Sequence, residues 1–273
     1  MNHLAGWGVP TVAEDSSGNA GASTAAYAAA AGIHADIYVP AETSPAKVDQ
    51  IRIYGAQCHL VPGTRSGSAR QAQEDRAGVR YIGHSWNPLF ACGIKSVAYE
   101  IAEQTGWNPP DWVVTPVGGG SLAMGLIDGF TELRAAGYIR KLPRILAVQS
   151  AACAPIYQAW LRNDPVTTGV KPRPTYAEGV PLPHPPRGTR VLQAISQSNG
   201  AMLAVADDAL LSCWREMARA GVSMEPTSAV AVAGAWLAWR DAELIGPRER
   251  VVILITGNGL KSKPTVLARV EAS

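Results

Sequence analysis

Short apolar runs alternate with longer helical patterns along almost the whole chain. The apolar runs predict β-strands at 10–13, 36–39, 59–61, 112–115, 145–148, 202–205 and 251–255. Between them, helical periodicity predicts helices at 21–31, 45–54, 66–77, 94–105, 122–135, 191–198, 209–220 and 227–241. Several strand runs are continuously apolar, which is typical of parallel strands with helices on both faces. The pattern therefore predicts an α/β fold with parallel sheets.

The segment 166–190 interrupts this alternation, because it is rich in proline and has no sustained periodicity. Long loops of this kind are uncommon inside compact domains and are usually functional or mobile. We expect a change of domain near 90–96. The sequence therefore predicts a small α/β domain at 1–93 and a large α/β domain at 94–273.

Composition narrows the class of protein. The 273 residues are 47% hydrophobic and 17% charged, with a formal net charge of +2, which suits a globular chain with a sizeable core. No run of Lys or Arg stands out, so nucleic acid and membrane surfaces are not expected partners. The stretch 222–239 contains Glu225 and Pro226, and a buried helix explains it better than a membrane span does.

The cysteines and the first residues bear on the compartment. Four cysteines are scattered along the chain, with no CxxC pair and no histidine at metal-ligand spacing, so no metal site is predicted. Free thiols are typical of a reducing compartment. Residues 1–8 have neither the charged nor the apolar region of a secretory signal. We therefore expect a cytoplasmic protein.

Three glycine-containing turns follow predicted strands, at the position where open parallel sheets bind ligands. The first has the sequence EDSSGNAG at 14–21. Its serine and asparagine side chains, with exposed amides at a helix start, suit an anion. Because Ser, Asp and Asn are also favoured helix caps, an ordinary N-cap is the better explanation of this segment when it is considered alone.

The second turn has the sequence PVGGGS at 116–121. Three consecutive glycines remove every Cβ, so backbone amides can approach a phosphate closely, and the following helix adds partial positive charge. A tight structural turn is the competing explanation, although a plain turn does not need three glycines. Neither GxGxxG nor GxxxxGK[ST] fits, which disfavours a dinucleotide or a P-loop phosphate.

The third turn has the sequence TGNGLK at 256–261 and follows the last apolar run. A hydroxyl at the end of a buried strand can face the ring of a ligand. Asn-Gly is also a common turn pair, so a plain turn is the competing explanation.

Together, the three turns resemble one family in order and spacing. The segments that carry the resemblance are DSSGNAGAS (15–23), VPAE (39–42), IYGA (53–56), GIKSVAYEIAEQ (93–104), PVGGGSLAMG (116–125), AEGV (177–180), EPTSA (225–229) and TGNGLK (256–261). These segments span almost the whole chain. On these segments, the chain resembles the fold-type II pyridoxal-phosphate (PLP) enzymes, in particular their threonine synthase-like branch. The resemblance implies two open, twisted, mostly parallel sheets flanked by helices, with the cofactor in a cleft between them.

The resemblance also implies roles for single residues. Asn19 would hydrogen-bond the phenolic oxygen of the cofactor, and Thr256 would meet its pyridine nitrogen. Glu178 and Glu225 would lie near the pocket. The residues implied to bind the substrate carboxylate are Ser17, Gly18 and Asn19. The residues implied to enclose the cofactor phosphate are Gly118, Gly119, Gly120 and Ser121.

The family's Schiff-base lysine is expected upstream of the SSGN turn, a few positions before Met1. Residues 1–8 resemble the tail of the helix that carries this lysine, so no catalytic residue is assigned, and the N-terminal segment of the large domain is expected to be missing as well. Lys95 and Lys261 are not its equivalents. Three explanations stay open: a truncated chain that starts too late, a degenerate homologue that binds PLP noncovalently or not at all, and recruitment of another lysine.

The substrate side of the resemblance is weaker. Threonine synthases place an arginine and a glutamate shortly after an Asn-Pro pair to meet the substrate phosphate. The corresponding segment NPLFACG at 87–93 has neither charge, so O-phosphohomoserine would lack its guanidinium partner. A smaller β-substituted amino acid, such as serine or threonine, is therefore a comparable candidate.

The resemblance thus predicts a PLP-dependent lyase for a hydroxy or O-phospho amino acid, incomplete without the lysine. The alternatives are a noncatalytic PLP-binding homologue and a serine/threonine dehydratase-like enzyme. A nucleotide-binding α/β domain is disfavoured because both glycine fingerprints are missing. The expected partner is a small amino acid, and enzymes of this family are often homodimers.

Overall fold

The computed structural model describes residues 1–16, 18–63, 65–74 and 76–261. The chain divides into two compact units, Met1–Asn87 and Pro88–Ser273. Each unit contains one four-stranded parallel sheet flanked by helices, which confirms the predicted α/β class. The boundary at 93/94 between two folding domains stays a prediction.

In the first unit, the sheet has the strand order β3-β2-β1-β4, and all its strands are parallel. The strands are β1 Thr11–Glu14, β2 His34–Pro40, β3 Gln57–Val61 and β4 Val79–Tyr81. The helices are α1 Asn2–Gly6, α2 Asn19–Ala30, α3 Pro45–Arg52 and α4 Arg65–Ala72.

In the second unit, the sheet has the order β7-β6-β5-β8, and its strands are again parallel. The strands are β5 Trp112–Pro116, β6 Arg144–Ser150, β7 Ala201–Val205 and β8 Val251–Ile253. The helices are α5 Pro88–Ile94, α6 Ser96–Gln104, α7 Ser121–Ala135, α8 Pro155–Leu161, α9 Gly188–Gln197, α10 Asp207–Arg219 and α11 Pro226–Arg240, and a 3-10 turn follows at Gly259–Lys261.

The two sheets share one topology. In each, the first three strands are added in one direction, and the fourth strand pairs with the free edge of the first. The strand order therefore reverses between β1 and β4 in the first sheet, and between β5 and β8 in the second. Ligands of open α/β sheets bind at such reversal points, outside the carboxyl ends of the strands. The SSGN turn follows β1 and the glycine turn follows β5, so each lies at the reversal point of its own sheet.

Burial on both faces of the second sheet accounts for its continuously apolar strands. Along β5, Val113 packs into one cluster with residues of α7 and α9, and Val114 packs into another with residues of α10 and α11. Phe130 of α7 is fully buried in the first of these clusters. Because successive side chains of a strand point to opposite faces, a sheet covered on both sides requires apolar residues at both parities.

Three short elements were not predicted from the sequence, namely β4, α5 and α8. β4 has only three residues, and it exists through its parallel pairing with β1. α5 and α8 have seven residues each and begin at Pro88 and Pro155, so they are too short to show helical periodicity. Residues 162–187 form neither helix nor strand, as the proline-rich composition indicated. Among the described residues, no helix has the length and apolarity that crossing a bilayer would require.

The carboxylate of Glu249 joins the starts of three neighbouring strands. It accepts hydrogen bonds from the backbone N–H of Gly246 (2.8 Å) and from Nε1 of Trp112 (3.0 Å), and it pairs with Arg144. The guanidinium of Arg144 also lies over the Trp112 ring, 4.2 Å from its centroid. The hydrogen bond from Gly246, and then those from Trp112 and Arg144, lower the pKa of Glu249.

We expect acid to weaken the second unit through Glu249. Because the folded-state pKa is lowered, the stabilisation is complete above the unfolded-state pKa and is lost as the pH falls through the folded-state value. Acidification from about pH 6 to about pH 4 should therefore lower the melting temperature of the wild type more than that of Glu249→Gln. Glu103→Gln, at an exposed glutamate of α6, is the control and should behave like the wild type. Equal acid sensitivity of Glu249→Gln and the wild type would contradict this role.

Candidate functional site

The glycine turn at the end of β5 leaves little room for a side chain at two of its three glycines. Gly120 is the N-cap residue of α7 and has a left-handed conformation with φ +82°. A Cβ at Gly118 would lie 3.1 Å from the backbone of Val180, and one at Gly120 would lie 2.1 Å from Cγ2 of Val191. Gly119 has more room, since its nearest neighbour would be Cδ2 of Leu182 at 3.4 Å.

The amides of this turn are available to a ligand. Within the described part of the chain, no hydrogen-bond acceptor is paired with the N–H groups of Gly118, Gly119 and Gly120. Gly118 and Gly119 are half-exposed, Gly120 is buried, and α7 begins after it at the half-exposed Ser121. Successive free N–H groups at a helix N-terminus form an anion site, so the turn suits a phosphate. The interpretation as a plain structural turn gives no reason for three unpaired amides.

A second loop closes one side of the glycine turn. Val180 packs against Gly118, and the N–H of Gly179 donates to Oγ1 of Thr227 at the start of α11 (3.1 Å). Glu178, which the resemblance placed near the pocket, is exposed on this loop. The proline-rich segment thus connects the turn after β5 to the N-terminus of α11.

Thr256 follows β8, the strand next to β5, so it lies at the same end of the sheet as the glycine turn. The backbone N–H groups of Thr256 and Gly257 both donate to Oγ of Ser228, at 2.9 and 3.1 Å. Oγ of Ser228 is also 3.1 Å from Oγ1 of Thr256. Since the two amides occupy the acceptor sites of Ser228, its own proton is directed to Oγ1 of Thr256, which in turn donates to Oε1 of Glu225 (3.5 Å).

Ser228 was missed as a functional residue from the sequence. It lies in the segment EPTSA, which contributed to the resemblance, but a serine in the first turn of a helix is usually explained as a local cap. Its side chain is fully buried and fastens the turn after β8. Glu225, at the N-cap of α11, adds a second tie, because its N–H donates to the carbonyl of Gly257 (3.0 Å). Asn258 accepts a hydrogen bond from the N–H of Leu260, so this segment is also an ordinary Asx turn.

The SSGN turn lies at the reversal point of the first sheet. Gly18 is the N-cap of α2 and Asn19 is its exposed first residue, whereas Ser17 lies outside the described residues. Because Gly18 has no side chain, the alternative of an ordinary side-chain N-cap is not realised there. Instead, Oγ of the buried Ser16 accepts a hydrogen bond from the N–H of Gly18 (3.3 Å). A Cβ at Gly21 would lie 1.9 Å from the carbonyl oxygen of Ser16.

Two buried acids precede this turn, and residues of β4 and of the segment after it hold them. Glu14 is 1% exposed, and its carboxylate is 2.7 Å from Nδ1 of His84. Asp15 accepts a hydrogen bond from the hydroxyl of Tyr81 at 2.5 Å. Burial, followed by this hydrogen bond, raises the pKa of Tyr81. These pairs could not be predicted, because the strand β4 was itself not predicted from the sequence.

The lysines for which side-chain partners are described are held by acids. Lys95 lies 2.5 Å from Glu132, and the hydrogen bond between them raises the pKa of Lys95. Lys141 lies 2.7 Å from Asp111. Among the described residues, no group of three or more His, Cys, Asp or Glu side chains could hold a metal ion.

Comparison with known proteins places this chain in a family. The family model "Pyridoxal-phosphate dependent enzyme" matches residues 3–257. The chain is 32% identical over 263 residues to a threonine synthase of Methanosarcina acetivorans, covering 95% of this chain and 65% of that protein. It is 34% identical over 256 residues to a threonine synthase of Mycobacterium tuberculosis, covering 92% and 68%. The chain thus spans about two thirds of the length of these relatives.

Solved structures show the same fold at lower identity. The processed form of threonine deaminase isoform 2 from Solanum lycopersicum matches with a TM-score of 0.79 at 22% identity, covering 96% of this chain and 72% of that one. An L-serine ammonia-lyase from Rhizomucor miehei matches with a TM-score of 0.81 at 21% identity, covering 96% and 82%. At these identities, the likeness bears on the fold alone.

Proposed function

The chain belongs to the family of pyridoxal-phosphate-dependent enzymes, and we propose that it functions as a lyase of the threonine synthase-like type. Its substrate is a hydroxy or O-phospho amino acid, and the reaction is elimination or replacement at the β or γ carbon. One observation carries the proposal: three consecutive unpaired amides lie at the reversal point of the second sheet, at the same sheet end as the Thr256 hydroxyl. This arrangement suits a ligand with a phosphate and a ring nitrogen.

The residues of the second unit fit the family's cofactor. The phosphate of PLP is assigned to the amides of Gly118–Gly120 and to Ser121. PLP, when bound, supplies an electron sink for bonds at the α carbon of an amino acid. Thr256 is assigned to the pyridine nitrogen, because its hydroxyl lies at the same sheet end as the glycine turn and is positioned by the side chains of Ser228 and Glu225. A neutral hydroxyl does not enforce protonation of the ring as an aspartate would, and this moderation suits elimination and replacement.

The SSGN turn is assigned to the substrate side. Ser17, Gly18 and Asn19 would bind the substrate carboxylate, and Asn19 would also meet the phenolic oxygen of the cofactor. The support within the first unit is local: the turn lies at the reversal point of its sheet, and hydrogen bonds to Glu14 and Asp15 hold the strand end that precedes it.

A serine/threonine dehydratase-like activity is the second candidate. The helix α5, with the sequence PLFACGI, has no charged residue that could bind a substrate phosphate. Relatives of known structure with the same fold include a threonine deaminase and an L-serine ammonia-lyase. The full chain, loaded with PLP, should be offered L-serine, L-threonine and O-phosphohomoserine. Release of oxo acid from the hydroxy amino acids supports a dehydratase, and release of phosphate supports the threonine synthase-like reaction.

Cofactor binding and catalysis are separable in the test. Equilibrium dialysis and visible absorption report PLP binding, and borohydride reduction followed by peptide mass spectrometry reports a lysine adduct. Binding with an adduct supports a catalytic protein, whereas binding without any adduct supports the noncatalytic PLP-binding homologue. A full chain that takes up no PLP would overturn the proposal.

We expect Thr256→Val to weaken PLP binding by about tenfold, the equivalent of one lost hydrogen bond of about 1.4 kcal/mol. The absorption band of bound PLP should shift as well, since the ring nitrogen loses its partner. Thr115→Val is the matched control, because Thr115 is buried in β5 and its hydroxyl donates to the adjacent carbonyl of Pro116. Unchanged affinity and absorption in Thr256→Val would remove Thr256 from the cofactor site.

A further inference from the structure

A groove of about 540 Å³ lies between α5, α7 and α9 in the second unit, and neither the glycine turn nor Thr256 lines it. Two glycines of α7 shape it. A Cβ at Gly125 would lie 2.5 Å from Cγ2 of Ile94, and one at Gly129 would lie 2.8 Å from the carbonyl oxygen of Lys95. The junction of α5 and α6 therefore packs unusually close to α7. The groove lies on the side of α7 that faces α9.

The floor of the groove is apolar and its rim is charged. Met124, which is 3% exposed, belongs to the floor, together with Ala91 of α5. Pockets that bind small molecules combine such apolar linings with a few polar groups that orient the ligand. The volume of the groove also falls within the usual range of about 300–1,000 Å³ for such pockets.

The basic side chains of the rim outnumber its acidic side chains by one. Lys95 pairs with Glu132 at 2.5 Å, and Arg190 pairs with Asp128 at 2.9 Å. The hydrogen bond from Lys95 lowers the pKa of Glu132, so this pair stays ionised. Arg187 is half-buried, and its guanidinium forms no ion pair with any of the described residues.

We infer that this groove binds a small monocarboxylate with an apolar body, whose carboxylate pairs with Arg187. The guanidinium fork matches a carboxylate in geometry, and the apolar body covers Met124. A single negative charge balances the single uncompensated cation. A phosphate dianion would add a second negative charge beside Asp128 and Glu132, so it should bind more weakly. The groove shares no residue with the assigned cofactor site, although Pro88, Ala91 and Cys92 of its lining belong to the segment 87–93 that was compared with the substrate-phosphate site of threonine synthases.

Cys92 provides a readout inside the groove. It is the exposed member of the four cysteines, all of which are free, and it lines the groove. Phenylacetate is the probe, and 2-phenylacetamide is its neutral analogue. The rate at which iodoacetamide, a neutral reagent, alkylates Cys92 in the full chain is followed by peptide mass spectrometry. Phenylacetate should slow this alkylation in a saturable manner, and 2-phenylacetamide and inorganic phosphate should protect at least about tenfold less well.

Two variants test the assignment of the charge. In Arg187→Gln, the concentration of phenylacetate that gives half protection should rise about tenfold, with no change in the alkylation rate without probe. Arg134→Gln, at an exposed arginine of α7 outside the groove, is the matched control and should protect like the wild type. Arg187→Lys keeps the positive charge but lacks the forked guanidinium. Its phenylacetate concentration for half protection should therefore lie between those of the wild type and Arg187→Gln.

Any of the following results would overturn the inference. Absence of protection shows that the groove does not bind the probe. Equal protection by 2-phenylacetamide, or full protection in Arg187→Gln, shows that the charge of Arg187 is not used. Stronger protection by inorganic phosphate than by phenylacetate shows that the class of anion is wrong. PLP uptake, measured on the same samples, reports the cofactor site separately.

Discussion

Gly120→Ala should abolish PLP binding at ordinary concentrations, with a loss of affinity of at least about 100-fold, or about 2.7 kcal/mol. Gly120 has φ +82°, and an L-residue in this left-handed region costs about 1–2 kcal/mol. Its new methyl group would also lie 2.1 Å from Cγ2 of Val191, which is fully buried in α9. Overpacking of this kind costs about 1–3 kcal/mol. Either the turn or α9 must move, and the three amides then lose their common direction.

Gly119→Ala is the matched control in the same turn. Gly119 does not have a positive φ, and its Cβ would meet only the flexible end of Leu182, at 3.4 Å. The free energy of unfolding should change by less than about 0.5 kcal/mol, as at ordinary surface positions. Calorimetry and equilibrium dialysis of both variants check this pair. If Gly120→Ala binds PLP as well as Gly119→Ala does, the conformation of the turn does not matter for the cofactor.

A double variant separates strain from overpacking. Gly120→Ala with Val191→Ala removes the clash but keeps the left-handed backbone. The double variant should therefore be more stable than the sum of the two single effects predicts, with a coupling of about 1–3 kcal/mol. Additive effects would show that Val191 does not confine the turn.

Gly21→Ala should destabilise the first unit by about 1–3 kcal/mol, although alanine is the better helix former. Gly21 lies in α2, and its Cβ would be 1.9 Å from the carbonyl oxygen of Ser16 and 3.3 Å from Cγ2 of Ile37. The obstacle at Ser16 is backbone, so it cannot be relieved by a side-chain rotation. We expect the residues around Ser16 to move, with faster hydrogen exchange of their amides.

Gly6→Ala should have the opposite effect on the stability of the first unit. Gly6 is in helix α1, its φ is not positive, and nothing lies within 4 Å of its Cβ position. This substitution should be neutral or should stabilise the unit by up to about 1 kcal/mol. Thermal unfolding and hydrogen exchange by mass spectrometry compare the two variants. A stabilised Gly21→Ala would show that α2 does not approach Ser16 so closely.

Local chemistry explains which elements could be predicted. Long apolar runs such as 145–148 became strands because burial on both faces requires apolar side chains at every position. The three-residue β4 could not be predicted, since its residues Val79–Tyr81 form a strand only through pairing with β1. The same limit applies to Tyr81 and His84, whose partners Asp15 and Glu14 are more than 60 positions away.

The sequence by itself determined the α/β class, the positions of the three glycine-containing turns and the family to which the chain belongs. These features depend on local patterns: apolar runs, glycines where no Cβ fits, and a helix start directly after a strand. Only the tertiary structure decided that β8 pairs with β5, which brings Thr256 to the same sheet end as the glycine turn. It also revealed Ser228 beneath Thr256 and the groove lined by Arg187, which has no ion pair with the described residues. The physical reason is that pairing order and uncompensated charge depend on neighbours distant in sequence, which no local pattern encodes.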